Sequence, residues 1–218
     1  MSRDERRREA TRLFFDDMAS TYDRDLEVVG WDPVALVQRW PFLVAPHESV
    51  LDVGCGTGAV LATYYGAQRK LFGLDLSPEM IQRARRRPEL KEADLQAQSA
   101  DSPWPFMDGS LDAVVSLAMF EFVEDLDVAL DELVRVLKPG GRALFSVEDV
   151  VDWNDIERPR YELRYGSFPL WRRTLEEVDL LLPPGVRIVR SERVRGYEVD
   201  ELKTITTYLV VEIEKDFE

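Results

Sequence analysis

Along this chain the spacing of apolar residues switches repeatedly between a run, a helical stripe and an alternation. The switches divide it into elements. Val50–Val53 is an apolar run that meets glycines, and Leu71–Asp75 is a second that ends in a carboxylate. Residues 93–98, Leu111–Leu117 and Arg142–Val147 give three more strands. Between them the period becomes helical. Residues 3–19 place Leu13, Phe14 and Met18 on one stripe. Asp32-Pro33 reads as an N-cap followed by proline at the first helical position, opening a helix with Leu36, Val37, Trp40 and Leu43 at helical spacing. A short helix follows Gly58, and Ser77-Pro78-Glu79 starts another with cap and proline in order. Residues 126–137 bring Leu126, Leu130, Leu133, Val134 and Leu137 to one face, and Lys138-Pro139-Gly140-Gly141 ends that helix.

Strand and helix alternating in this way predict a mostly parallel sheet with right-handed crossovers. The last third changes character. Residues 149–173 are rich in Trp, Tyr, Arg and Pro and have no clean period. Thr174 and Glu177 have capping-box spacing for a helix over 174–182, which Pro183-Pro184-Gly185 breaks. Residues 186–194 and 204–214 read as two strands, the second alternating Ile205, Thr207, Leu209, Val211 and Ile213 with a second face. The pair is expected to close the sheet antiparallel. No repeat or linker splits the chain, so 1–218 reads as one α/β domain.

Composition narrows the partners. The chain has 218 residues, 45% of them hydrophobic, enough for a full core, and a net charge of -14. That charge disfavours a nucleic-acid backbone as partner. The basic cluster from Arg3 to Arg12 is interrupted by Asp4, Glu5 and Glu9, and reads as a solvated helix face. One cysteine, Cys55, excludes an internal disulfide framework and fits a reducing, cytoplasmic setting. The charged N-terminus has no apolar h-region, and no stretch is long enough to span a bilayer, so no membrane role is expected. His47 is the only histidine and sits between Pro46 and Glu48; a loop position is expected for it, and no metal site.

The candidate chemistry lies where the first two strands end. Asp52-Val53-Gly54-Cys55-Gly56-Thr57-Gly58 is an apolar strand entering a glycine-rich turn, and Asp75 closes the next strand. Open α/β sheets hold nucleosides in this way: glycines let backbone approach the ligand, and an acid takes the ribose hydroxyls. Gly54-x-Gly56-x-x-Ala59 also satisfies a loose dinucleotide pattern. Asp52 near a pyrophosphate and the lack of a second substrate-binding half oppose that reading.

The order of motifs resembles the class I S-adenosylmethionine-dependent methyltransferases, with their Rossmann-like, doubly wound, seven-stranded sheet and helices on both faces. The glycine-rich turn, Asp75, Ala100-Asp101-Ser102, Leu111–Ser116 and Leu137–Gly141 resemble five successive marks of that family. The resemblance covers roughly 22–147. It divides the chain into an N-terminal helical lid (1–45), a cofactor core (46–148), an acceptor segment (149–185) and closing strands (186–218). It implies S-adenosyl-L-methionine as cofactor. Asp52 is expected to attract its ammonium, and Gly54, Cys55 and Gly56 to pass beside its methionine end. Asp75 is expected to bind the ribose. Leu76 and Met80 would cover the adenine, with Ala100, Asp101 and Ser102 at its edge and Ser116 and Leu117 on the fourth strand. Tyr22 is the expected lid aromatic. Cys55 reads as a small filler of the turn rather than a reactive thiol.

Many small-molecule relatives carry a histidine after the fourth strand. Here Glu121, between Phe120 and Phe122, is the nearest substitute as a base, against a solvent-facing acid at a helix start. Trp153, Tyr161, Tyr165, Phe168 and Trp171 are expected to line an apolar acceptor pocket, and Arg158, Arg160 and Arg164 to meet an anionic acceptor. The reading is methyl transfer to a small molecule by a monomer or homodimer. A protein acceptor, or a regulatory protein that binds the cofactor without catalysis, stands as the alternative. No Asn/Asp-Pro-Pro-aromatic tetrad follows the fourth strand, which disfavours a nucleic-acid substrate.

Overall fold

The computed structural model describes residues 3–40, 48–66, 68–164, 168–199 and 204–217. Leu43, His47 and Tyr165 fall outside them. Three helices come first: α1 (Arg3–Met18), α2 (Tyr22–Val29) and α3 (Pro33–Gln38). Then follow β1 (Ser49–Val53), α4 (Ala59–Ala62), β2 (Lys70–Asp75), α5 (Pro78–Ala84), β3 (Asp94–Ala97), β4 (Leu111–Ser116), α6 (Leu126–Val136) and β5 (Leu137–Glu148). The chain goes on through β6 (Tyr161–Arg164), β7 (Phe168–Trp171), α7 (Leu175–Leu181), β8 (Val186–Val199) and β9 (Thr204–Lys215). Among the described residues no helix is long and apolar enough to cross a membrane.

Seven strands form one sheet in the order β3-β2-β1-β4-β5-β9-β8. The first five run parallel, and β9 pairs antiparallel with both β5 and β8. This is the expected doubly wound sheet with an antiparallel closing pair. Because it is covered on both sides, consecutive strand residues enter different cores. Leu51, Phe145 and Val211 pack with Leu126, Leu130 and Leu133 of α6 and Val178 of α7. Val50, Leu144 and Val210 pack with Leu36 and Val37 of α3, Leu61 of α4 and Ile81 of α5.

Local chemistry starts the helices where the sequence places them. The Asp32 carboxylate accepts from the Ala35 N–H at 2.8 Å, and Ser77 Oγ from the Met80 N–H at 3.1 Å. Thr174 and Glu177 make both bonds of a capping box. Three features depart from the sequence expectation. The region between Met18 and Asp32 forms a separate helix, α2, which buries no side chain completely. Lys138–Gly141 belongs to β5, whose register against β4 shifts there, with Gly140 at φ +74°. Residues 149–173 contain the hairpin β6–β7, which periodicity missed because charge pairs anchor it. Arg172 Nε donates to Glu148 Oε1 at 2.6 Å, and Arg164 Nη2 donates to the same oxygen at 3.0 Å, all three side chains being buried.

Leu130 is fully buried between α6 and the sheet. Leu130→Ala is expected to cost about 2–5 kcal/mol of stability, read from the urea midpoint at unchanged slope.

Candidate active site

The parallel strands all end at one edge, and the site is built there. The N–H groups of Gly54 and Cys55 both donate to Leu74 O, at 2.7 and 3.0 Å, so the turn after β1 folds onto the end of β2. Gly54 and Gly56 have φ of +74° and +54°, a region that L side chains rarely adopt. A Cβ at Gly54 would also fall 2.2 Å from Met119 Cγ. Asp75 takes one backbone donor on each oxygen: Gly56 N–H on Oδ2 at 2.7 Å and Ser77 N–H on Oδ1 at 2.8 Å. A carboxylate has about four acceptor positions, so two remain for a ligand. Its enclosure raises its pKa to about 6, partly offset by those two N–H groups.

One cavity opens above this edge, with about 960 Å³ of empty space including its open mouth, a size suited to a small ligand. Tyr22, Gly54, Gly56, Asp75, Leu76, Met80, Ala100, Asp101 and Leu117 all line it. The ring of Tyr22 comes within 3.7 Å of where a Gly56 Cβ would stand. Asp101 accepts from Ser99 Oγ and, at 2.9 Å, from Arg8 Nε.

Other expected residues do not reach the cavity wall. Asp52 is 2% exposed beneath the turn; its Oδ2 has no partner among the described residues, and burial followed by the charge of Asp75 raises its pKa to about 8. Cys55 is buried toward Gly73, where a Cβ would fall 2.9 Å from its Sγ, and burial raises its thiol pKa. Ser116 Oγ donates to Val53 O at 2.9 Å, joining β4 to β1 below the site. Ser102 Oγ donates to Ser99 O at 2.8 Å and shapes the loop.

Glu121 departs from both sequence expectations. It is neither solvent-facing nor on the cavity wall: its side chain is fully buried, and Oε1 accepts from Tyr208 OH at 2.9 Å. Burial first, then the charge of Glu148, raises its pKa to about 8. Residues Phe120–Phe122 form a 3-10 turn that sends Phe122 to the cavity and Glu121 away from it.

The acceptor segment is also corrected. Of its aromatics Trp171 lines the cavity, with the Arg7 guanidinium 5.5 Å from its ring centroid. Trp153 is 44% exposed in a separate groove beside Trp31 and Arg193, and Tyr161 is 41% exposed against Trp171. The side chain of Phe168 lies outside the described residues. Arg164 is consumed by Glu148 and Glu162, Arg160 by Glu177, and Arg158 does not line the cavity.

The N-terminal basic cluster is not simply solvated. Arg7 and Arg8 line the cavity together with Thr11 and Phe15, and Arg7 pairs with Glu124. Phe15 packs edge-on to Phe122 at 5.4 Å and to Tyr22 at 6.3 Å. The stripe read for this helix took in Phe14 but not Phe15. Gln98, Ser99 and Ala118 were also missed; Ala118, at φ +53°, is an irregular position that no residue pattern marks.

Residues 51–145 match the family described as a methyltransferase domain. A demethylmenaquinone methyltransferase of Tropheryma whipplei is 34% identical over 207 residues, 88% of this chain and 79% of that protein. The chain belongs to the class I S-adenosylmethionine-dependent methyltransferases.

A second methyltransferase relative, the 2-methyl-6-phytyl-1,4-hydroquinone methyltransferase of Synechocystis, is 34% identical over 154 residues, 67% of this chain. This chain spans only 45% of that relative's length. An S-adenosylmethionine-dependent methyltransferase from Mesorhizobium loti shares the fold with a TM-score of 0.67 at 20% identity, over 83% of this chain and 96% of that one.

The residues present fit the methyltransferase cofactor: Asp75 has acceptor capacity left for ribose hydroxyls, and the turn lacks the Cβ atoms that would keep its backbone away. A carboxylate accepts from two hydroxyls; a carboxylic acid does so poorly. If Asp75 takes the ribose hydroxyls, binding favours its ionised form, which the free site loses as pH falls through about 6. Affinity for S-adenosylhomocysteine is expected to hold above pH 7 and to fall by up to about tenfold per pH unit below pH 6, measured by calorimetry in matched buffers.

Proposed function

We propose that this chain transfers a methyl group from S-adenosyl-L-methionine to a small-molecule acceptor by in-line displacement. One observation carries the reading: the glycine-rich turn, Asp75, Met80 and Asp101 converge on a single cavity. The bound cofactor supplies a methyl group already activated on a sulfonium. The protein's task is then alignment and exclusion of water, from which much of the rate derives.

Each residue has a part in that alignment. Asp75 accepts from the two ribose hydroxyls, and Asp101 from the adenine amino group. Leu76 and Met80 cover the ring. Gly54 and Gly56 let the backbone approach the methionine end, and buried Asp52, largely protonated in the free site, supplies negative potential behind it once the arriving ammonium draws off its proton. Phe15, Tyr22 and Phe122 wall off water, and the face of Tyr22 favours a sulfonium. Trp171, with Arg7, stands where an acceptor would enter. A net charge of -14 supports a small acceptor over a nucleic acid, and a monomer or homodimer in the cytoplasm is the proposed setting.

The first test is titration of the wild type and Asp75→Ala with S-adenosylhomocysteine. Micromolar binding, weakened at least about a hundredfold in the variant, is expected from losing two charge-assisted hydrogen bonds. No binding by the wild type up to millimolar ligand would reject the reading.

Glu121 is the base we propose for acceptors that must lose a proton. Its Oε2 has no partner among the described residues, and rotation away from Tyr208 is needed to bring that atom to the cavity. Only the ionised form accepts a proton, so the rate should rise with pH through about 8. Glu121→Gln is expected to remove that limb; an unchanged profile would discharge Glu121 from the role.

A further inference from the structure

We infer that Asp23, Thr57 and Arg87 form a clasp that positions Tyr22 over the glycine-rich turn and so sets cofactor affinity. The inference rests on the proposed cofactor site.

The three residues come from distant parts of the chain and meet beside the turn. Thr57 Oγ1 donates to Asp23 Oδ1 at 2.5 Å. Arg87 Nη2 donates to the other oxygen, Asp23 Oδ2, at 2.7 Å. Arg87 Nε donates to Thr57 O at 2.7 Å. Both Asp23 oxygens are therefore engaged, one by the turn and one by the residue that leads out of α5. Thr57 itself is buried, between the glycines of the turn.

What the clasp holds follows from its neighbour. Tyr22 precedes Asp23 at the first position of α2, and the N-cap residue Thr21 makes no side-chain cap bond. No side chain of α2 is completely buried. Leu26 and Val29 pack partly against the core at its far end. The near end, which carries Tyr22, is fixed to the sheet by polar contacts. A helix end held so weakly by apolar burial would carry its aromatic ring out of register without them. Asp23 is thus a positioning residue. It acts on the ligand through Tyr22; its carboxylate is half exposed, so water screens the Arg87 pair and the bond from buried Thr57 carries most of the restraint.

A double-mutant cycle on S-adenosylhomocysteine affinity tests this, by calorimetry well below the melting temperature of each variant. Tyr22→Ala and Asp23→Ala should each weaken binding by about tenfold, and the double variant no more than the worse single. Thr57→Val keeps shape, loses the hydroxyl, and should behave as Asp23→Ala does; it serves if Asp23→Ala fails to fold. A residue that merely stabilises the fold would shift melting temperatures without this non-additivity. Additive losses, near a hundredfold in the double variant, would overturn the clasp, as would wild-type affinity in Asp23→Ala or Thr57→Val. With wild-type binding present and lost in Asp75→Ala, those outcomes reject the clasp alone. Absence of wild-type binding rejects the cofactor reading and the clasp with it.

Discussion

The arrangement of the site depends on one carboxylate with a backbone N–H on each oxygen. Asp75 receives Gly56 from the turn after β1 and Ser77 from the start of α5. These bonds fix the separation between two loops that the parallel sheet brings together but does not itself align. Ser77 carries the arrangement outward: its hydroxyl caps α5 and donates to Asp16 of α1 at 2.5 Å, so the first helix is registered on the same corner. A group able to accept four hydrogen bonds and here accepting two is at once a structural joint and a receptor.

Acid accumulates on the cavity wall and behind it. Asp75, Asp52 and Glu121 all lie above the ordinary carboxylate range, each first by burial and then by another carboxylate nearby: Asp16 for Asp75, Asp75 for Asp52, Glu148 for Glu121. The cationic side chains of the neighbouring hairpin relieve this only in part: Arg164 favours ionised Glu121, but Arg164 and Arg172 are both paired with Glu148 and Glu162. On the proposed reading, a sulfonium and an ammonium arriving together would supply the missing positive charge, and protons would leave as they bind.

The fold was legible in the sequence wherever local signals and burial agree. Ser77-Pro78 and Thr174 with Glu177 start helices because their side chains complete caps within four residues. Val50–Val53 reads as a strand because both faces of the sheet are covered. The site was legible where function needs a residue type at a fixed place on the sheet edge, as at Gly54, Gly56, Asp75 and Asp101. It was opaque where partners come from remote segments. Nothing in 149–173 announces that Arg164 and Arg172 converge on Glu148, and composition alone made Arg164 resemble a ligand group. Arg8 looked like one more solvated charge because Asp101, its partner, is 93 residues away. Glu121 was misplaced for a different reason: in a single 3-10 turn, flanking phenylalanines do not say which of three consecutive side chains faces the ligand.

The position of β9 bears on how the protein is made. Thr204–Lys215 lies between β5 and β8, so the edge strand has no partner until this later segment arrives. While the chain emerges from the ribosome, the parallel strands β1 to β5 can assemble and close around α6. The free side of β5 then stays exposed through the synthesis of the next fifty or so residues, about 3–10 s at ordinary elongation rates. In that interval an unpaired apolar edge is open to other strands, and β8 waits beside it with arginines at 187, 190, 193 and 195 that keep it hydrated. A segment that contributes nothing to the cavity wall therefore sets the moment at which the nascent chain stops being a hazard to its neighbours.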